Sequence, residues 1–225
     1  MHPLNSVNPV NRVERYAFRE RLIHGVAGLS YLYLLFTGLA FWTPALYWLA
    51  IVLGGGFLSR ALHPVVGLVF AAIVLWMYGI WRRDMRITRE DRAWRKAMRH
   101  YVRNEDHLVP AAGRFNYGQK LLFWVMVWGA LVLLVSGLVL WFPTAIPNDA
   151  RVVREVALLA HASGALITIG AFIVHLYMGL AVVPGGLAAM LHGEVSDEWA
   201  RHHHPRWFDE TTRDAASRTQ GEPLR

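Results

Sequence analysis

The chain has 225 residues, of which 55% are hydrophobic, 12% aromatic and only 17% charged. This balance is typical of a polytopic helical membrane protein and leaves no room for a large soluble domain. The absence of cysteine excludes disulfides, iron–sulfur ligation and covalent or thiolate attachment of haem by this chain. The net charge of +7 comes from basic residues between apolar segments, so membrane topology explains it better than nucleic-acid binding.

Four segments are long and apolar enough to be predicted membrane spans. They follow a polar arm of residues 1–21, in which we find no cleavage site, and cover about 22–42, 61–81, 121–142 and 156–183. The run 44–58 is short and holds three consecutive glycines, which favours a connection at the membrane interface. The predicted fold is an all-α four-transmembrane-helix bundle over residues 22–183, followed by a polar tail of residues 184–225.

Arginine and lysine are distributed unevenly between the two sides of this bundle. Twenty of the 23 lie in the arm, between spans two and three, or in the tail, and only Arg60, Arg151 and Arg154 lie on the other side. The positive-inside rule therefore predicts that both termini and the long loop are cytoplasmic. Within that loop, residues 89–96 are rich in both charge signs and predict a solvated helix at the lipid headgroups.

Four histidines lie in the predicted spans, where ionisable side chains are costly and usually functional. His161 and His175 are 14 residues apart on span four, so a helix places them close to one face and about 21 Å apart along its axis. The topology places His63 at the outer level with His161, and His24 at the inner level with His175. Two histidines from different helices can ligate a low-spin haem iron, so the pattern predicts two haems b.

Glycine accompanies every one of these histidines at a position on the same helix face. The four glycines are Gly28, Gly67, Gly164 and Gly179. We expect them to let a flat cofactor approach the backbone, although small residues also serve ordinary helix packing in membranes. Span three has no histidine and is expected only to pack. The adjacent histidines 202–204 do not face one another on a helix and are not predicted to bind a metal.

Five strings of the sequence carry a resemblance to a known family. They are RALHP (60–64), FNYGQK (115–120), LAHA (159–162), HLYM (175–178) and HHPRW (203–207). With them the chain resembles, over nearly its whole length, the gamma (cytochrome b) subunit of membrane-bound respiratory formate dehydrogenase. The likeness is weakest around His24, where the histidine and little else is kept.

The resemblance implies a quinone-reducing membrane subunit of the bacterial inner membrane that serves anaerobic respiration. It implies two haems b with the pairing given above, and a quinone site formed by Asn116, Gly118 and Gln119 near the inner haem. It also implies partners: an iron–sulfur beta subunit, and an alpha subunit whose molybdenum or tungsten pterin oxidises formate outside the cell membrane. No formate-oxidising site is expected on this chain, and no nucleic acid is expected to bind it.

Other functions remain open on the sequence alone. The histidines would also fit the cytochrome b subunit of a nickel–iron hydrogenase or of another periplasmic dehydrogenase. A proton-coupled transporter would use the histidines as relays, but the chain has no visible internal repeat and no intramembrane carboxylate pair. A membrane anchor without any cofactor is the remaining alternative.

Overall fold

The computed structural model describes residues 11–103, 105 and 108–219, so the first ten residues of the arm and the last six of the tail lie outside it. The elements follow in this order: β1 (Arg12–Glu14), α1 (Phe18–Trp42), α2 (Trp48–Val52), α3 (Gly56–Trp81), α4 (Arg89–Val102), α5 (Tyr117–Trp141), α6 (Arg151–Tyr177), α7 (Gly186–His192), β2 (Glu194–Ser196), α8 (Asp197–His203) and α9 (Pro205–Thr219).

Four helices of the described chain, α1, α3, α5 and α6, are long and apolar enough to cross a membrane. The last of these spans continues through a π-helical turn over Met178–Val182. The prediction of an all-α membrane protein with four spans is confirmed. The helices begin a few residues before the apolar segments, because backbone hydrogen bonding continues past the edge of the hydrocarbon into polar sequence.

Residues 19–85 and 121–177 form one compact unit, called here the membrane unit. Its core is an aromatic and aliphatic cluster built around Tyr31, with Phe70, Val74 and Ala130 buried beside it. The Tyr31 ring lies 5.6 Å from that of Phe70 and 4.9 Å from that of Phe172, measured between centroids. All four spanning helices therefore meet in one cluster, and its burial of apolar area is the main term that holds them together.

A hydrogen bond and a backbone turn fix the ends of these helices. The Nε1–H of Trp81, at the end of α3, donates to Oε1 of Glu20 at the start of α1 over 2.6 Å, and both side chains are buried. At the opposite end, the chain turns from α2 into α3 through Gly54 and Gly55, both at φ +96°. That backbone conformation favours glycine, which explains the glycine run of the connection.

Residues 11–18, 86–103, 105, 108–120 and 178–219 form a second compact unit, called here the peripheral unit. β1 pairs antiparallel with β2, with Val13 opposite Val195. Around this ribbon α7, α8 and α9 bury a core that includes Trp207 and Phe208. The arm, the long basic loop and the tail, which are separate in sequence, thus share one unit.

The expectation that residues 89–96 are a fully solvated helix is wrong for two of its side chains. In α4, Asp91 is 6% exposed and Trp94 is 4% exposed. The Asp91 carboxylate accepts from the backbone N–H of Thr88 at 2.6 Å, which caps the helix, and from Nζ of Lys120 at 2.7 Å. The charge pattern suggested partners on the same helix, whereas the carboxylate turns to a residue 29 positions away.

Candidate functional site

The structure brings the four intramembrane histidines together as two pairs. The rings of His63 and His161 are 6.4 Å apart between centroids, at an interplanar angle of 60°. Those of His24 and His175 are 5.9 Å apart, at 62°. Because His161 and His175 lie on the uninterrupted helix α6, the two pairs are about 21 Å apart along its axis.

Both spacings fit a single iron held between two imidazoles. A metal–imidazole bond of about 2.0 Å, added to the roughly 1.1 Å from nitrogen to ring centroid on each side, gives about 6 Å between rings. Aromatic rings that pack directly, with no metal between them, also have centroids about 4.5–7 Å apart, so these distances are compatible with an iron without requiring one. The donor set, neutral nitrogen ligands from two different helices, is that of a haem iron.

The glycines beside the histidines divide into two groups. A methyl group added at Gly28 or Gly179 would meet nothing within 4 Å, so there is open space beside these backbones. At Gly164, by contrast, it would lie 3.3 Å from a methyl of Val132 and 3.5 Å from one of Leu133. Gly164 therefore serves close helix packing.

Two hydroxyl side chains that the sequence reasoning missed contact His63 and His161, the pair predicted to lie at the outer level. Thr37 Oγ1 lies 2.7 Å from Nδ1 of His63, and Ser136 Oγ lies 3.0 Å from Nδ1 of His161. Ser136 belongs to α5, so the expectation that this helix only packs is wrong. The signal in the sequence was a hydroxyl residue followed by glycine within a span, at 37–38 and again at 136–137.

The three residues expected to bind quinone lie at the start of α5, where two of them form a reciprocal cap. The Gln119 backbone N–H donates to Asn116 Oδ1 at 3.0 Å, and the Asn116 N–H donates to Gln119 Oε1 at 2.9 Å. This arrangement stabilises the helix terminus. The two hydrogen bonds of the cap engage the side-chain oxygens and not the amide NH₂ groups, which are donors; Asn116 is 4% exposed. Gly118 lies between them, and a methyl group there would lie 3.4 Å from Asn116 Oδ1.

The peripheral unit also holds a buried histidine, His204, beside a buried arginine. Its Nδ1–H donates to the Gly113 carbonyl at 2.8 Å, and its Nε2 lies 3.3 Å from a terminal nitrogen of Arg15. The same arginine donates to the Arg114 carbonyl and lies 4.5 Å over the ring of Trp207. Burial first, and the Arg15 charge second, hold the pKa of His204 well below its usual value. In the described residues no three histidine, aspartate or glutamate side chains converge on a metal position.

Comparison with known proteins identifies the family to which the chain belongs. The sequence profile described as prokaryotic cytochrome b561 matches residues 15–193. The chain belongs to this cytochrome family. It is 37% identical over 199 residues to the formate dehydrogenase cytochrome b556(fdo) subunit of Escherichia coli strain K12, covering 88% of this chain and 92% of that protein.

Other relatives of this cytochrome are also described as cytochrome b556 subunits of formate dehydrogenase. The nitrate-inducible formate dehydrogenase cytochrome b556(Fdn) subunit of Escherichia coli K12 is 30% identical over 212 residues, covering 94% of this chain and 97% of that protein. The formate dehydrogenase cytochrome b556 subunit of Haemophilus influenzae is 30% identical over 205 residues, covering 88% and 83%. The expected likeness to formate dehydrogenase cytochrome b subunits is confirmed. Membership of a cytochrome b family implies haem b, and it disfavours both a proton-coupled transporter and an anchor without a cofactor.

Proposed function

We propose that this cytochrome is the membrane subunit of a formate dehydrogenase complex and conducts electrons across the bilayer to quinone through two haems b. The observation that carries the proposal is the pair of histidine pairs, each spaced for one iron and joined by α6. His63 and His161 hold the outer haem, and His24 and His175 hold the inner one. Haem b bound at these pairs supplies one-electron transfer; the chain supplies ligands, orientation and a dry surrounding.

The distribution of charge and the composition of the peripheral unit support an assignment of the two sides of the membrane. Twenty of the 23 lysines and arginines fall in the arm, the long loop with its edge, and the tail, and the described parts of residues 11–18, 86–120 and 178–219 within those segments pack into one unit. A shared unit supports a shared side, and the positive-inside rule makes that side the cytoplasm of a bacterial inner membrane. His24 and His175 are then the cytoplasmic pair, and His63 and His161 face the periplasm.

Quinone binds, in this proposal, at the amides that cap α5. A quinone carbonyl oxygen needs hydrogen-bond donors, and the NH₂ groups of Asn116 and Gln119 remain available when their oxygens are engaged in the cap. The cap thus fixes the orientation of both amide groups through their oxygens, and its hydrogen bonds do not involve the NH₂ donors. Gly118 between them presents backbone rather than a side chain.

The descriptions of the relatives support a proposal for the partner subunits. They are subunits of formate dehydrogenases, and this cytochrome lacks cysteine for iron–sulfur ligation. We therefore propose an iron–sulfur beta subunit as the electron donor at the periplasmic side, and an alpha subunit with a molybdenum or tungsten pterin as the site of formate oxidation. Lipid surrounds the four spans.

Two ligand substitutions test the haem assignment. In membranes carrying the assembled complex, His161→Ala removes one histidine of the outer pair and His175→Ala one of the inner pair. Each variant should keep one reducible haem per chain, and the two should lose different components of the reduced-minus-oxidised spectrum. A stable His63→Ala protein with full haem content would contradict the outer pair.

The quinone assignment needs a variant that separates donor from cap. Asn116→Ser keeps an oxygen that can cap α5 but has no NH₂ group. Formate should still reduce both haems, while the Michaelis constant for a soluble quinone analogue rises about tenfold, as expected for one lost hydrogen bond of about 1.4 kcal/mol. Gln119→Glu, which keeps the capping oxygen, should behave alike. Unchanged quinone kinetics in both variants would leave these residues with a capping role alone.

A further inference from the structure

We propose that Thr37 and Ser136 are positioning residues for the outer haem, each fixing the tautomer and raising the basicity of one axial histidine. The proposal deepens the function proposed above and rests on it. Its basis is that both outer histidines, contributed by α3 and α6, have a hydroxyl of a neighbouring helix on Nδ1: Thr37 at 2.7 Å from His63 and Ser136 at 3.0 Å from His161.

The direction of these hydrogen bonds follows from where the hydroxyl hydrogens already go. Thr37 Oγ1 donates to the Tyr33 carbonyl at 2.8 Å, and Ser136 Oγ donates to the Val132 carbonyl at 2.6 Å. A hydroxyl has a single hydrogen, so each oxygen then accepts from the imidazole. The proton therefore lies on Nδ1, and Nε2 keeps the lone pair that an iron needs.

Ordinary helix chemistry explains half of this arrangement. Serine and threonine in membrane helices commonly bond to the carbonyl one turn back, with or without a histidine nearby. This chemistry does not explain why each hydroxyl also contacts a histidine. Thr37 is 0% exposed and Ser136 is 5% exposed, so both contacts lie inside the bundle. Each is also followed by a glycine that lies beside that ring: a methyl group at Gly137 would lie 3.2 Å from Cε1 of His161, which is tight, and one at Gly38 would lie 3.8 Å from Cε1 of His63, which is ordinary contact.

The inner pair differs from the outer pair in this respect. Among the described residues, neither His24 nor His175 has a hydrogen bond to a side-chain hydroxyl. An Nδ1–H that is hydrogen-bonded makes its imidazole a more basic ligand, and such outer partners orient the ligand and tune the metal. A more basic ligand stabilises the oxidised iron, so the two hydroxyls lower the reduction potential of the outer site relative to the inner one. That difference favours electron movement inward.

The test is a potentiometric titration of both haems in the purified, assembled complex. The double variant Thr37→Val/Ser136→Ala removes both hydroxyl acceptors at nearly constant volume and leaves the hydrogen bond of His161 with the Leu133 backbone in place. The outer component, identified as the one missing in His161→Ala, should shift to higher potential by about a tenfold change in its reduction equilibrium, about 59 mV for one electron. It should also be lost faster on detergent washing, by about tenfold, as expected when such a partner is removed. The inner component should be unchanged.

Conservative and matched variants separate positioning from packing. Thr37→Ser and Ser136→Thr keep the hydroxyls and should titrate like the wild type. Thr168→Val and Ser30→Ala remove equally buried hydroxyls that donate to backbone carbonyls, of Ala165 and Val26 respectively, and should leave the outer potential in place. Where the double variant does not assemble, each single variant is titrated in the same way.

The two proposals fail in different ways. Two haems with an unshifted outer component in the acceptor-free variants would overturn the role of the hydroxyls alone, as would an equal shift in Thr168→Val or Ser30→Ala. A wild-type complex with fewer than two haems per chain would overturn the function itself.

Discussion

At the scale of single residues, two glycines and two hydroxyls surround the pair of His63 and His161. A methyl group at Gly137 would lie 3.2 Å from Cε1 of His161, whereas one at Gly38 would lie 3.8 Å from Cε1 of His63. The first distance requires the ring to move by a few tenths of an ångström, and the second is ordinary contact. A ring that is hydrogen-bonded to Ser136 and, in the proposed function, bonded to iron would have little freedom to move, so the two glycines differ in what they tolerate.

We therefore predict that Gly137→Ala weakens the outer haem site and that Gly38→Ala does not. Alanine stabilises a helix relative to glycine by about 0.8–1 kcal/mol. Any loss of haem caused by Gly137→Ala therefore occurs despite a gain in helix stability. Haem content per chain and the outer spectral component, measured after detergent extraction, check this. Equal haem retention in the two variants would contradict a ring held in place at His161.

At the scale of elements, a buried ion pair joins the start of α4 to the start of α5. Lys120 is 4% exposed, and its Nζ contacts the Asp91 carboxylate at 2.7 Å and the Arg86 carbonyl at 3.0 Å. Burial opposes ionisation of Asp91, but the hydrogen bonds from Lys120 and the Thr88 N–H outweigh it and lower its pKa. The folded pKa is thus below the unfolded one, so the stabilisation is present above about pH 4 and is lost only as the pH falls below that.

Removing one partner should cost more than removing both. Asp91→Asn leaves the Lys120 ammonium buried without its counter-charge, which we expect to cost about 3–5 kcal/mol. The double variant Asp91→Leu/Lys120→Met has no buried charge and should recover most of the loss. Thermal unfolding of the solubilised complex at neutral pH measures both. A double variant that is as unstable as Asp91→Asn would show that the pair itself, rather than the uncompensated charge, sets the stability.

His204 gives the peripheral unit a separate sensitivity to acid. Its folded pKa is lowered by burial and by Arg15, while the unfolded histidine titrates near 6.5. The unfolded chain therefore binds the proton first, so stability is full above about pH 6.5 and falls as the pH drops below it.

The corresponding experiment compares melting temperatures at pH 7.5 and 5.5. We expect a larger acid-induced fall for the wild type than for His204→Asn, which keeps a donor for the Gly113 carbonyl but does not titrate. His192→Asn, at an exposed position, serves as the control and should behave like the wild type. An equal fall in His204→Asn would assign the acid effect to other groups.

For the molecule as a whole, the proposed arrangement separates charge across the membrane. The two histidine levels are about 21 Å apart along α6, a large share of a roughly 30 Å hydrocarbon core. Reduction of one quinone consumes two electrons, which enter at the outer level, and two protons. If the amides of Asn116 and Gln119 lie on the cytoplasmic side, those protons come from the cytoplasm, and both movements have the same electrical sign.

Turnover should accordingly be electrogenic. In tight vesicles that hold the complex with its formate site outward, formate and quinone should make the interior negative to a voltage-sensitive dye and raise the interior pH. An uncoupler should abolish both signals while formate oxidation continues. Steady turnover in tight vesicles with neither signal would place the quinone site on the outer side.

The sequence by itself determined the number of spans and the two levels of histidine, and it predicts the side that carries the basic residues. These properties follow from hydrophobicity, charge and helical periodicity, which are local along the chain. Only the tertiary structure decided which groups meet from different helices: the hydroxyls of Thr37 and Ser136 on the outer histidines, and Asp91 on Lys120. A hydrogen bond across helices depends on helix rotation and depth to within about an ångström, and a one-dimensional pattern does not set these.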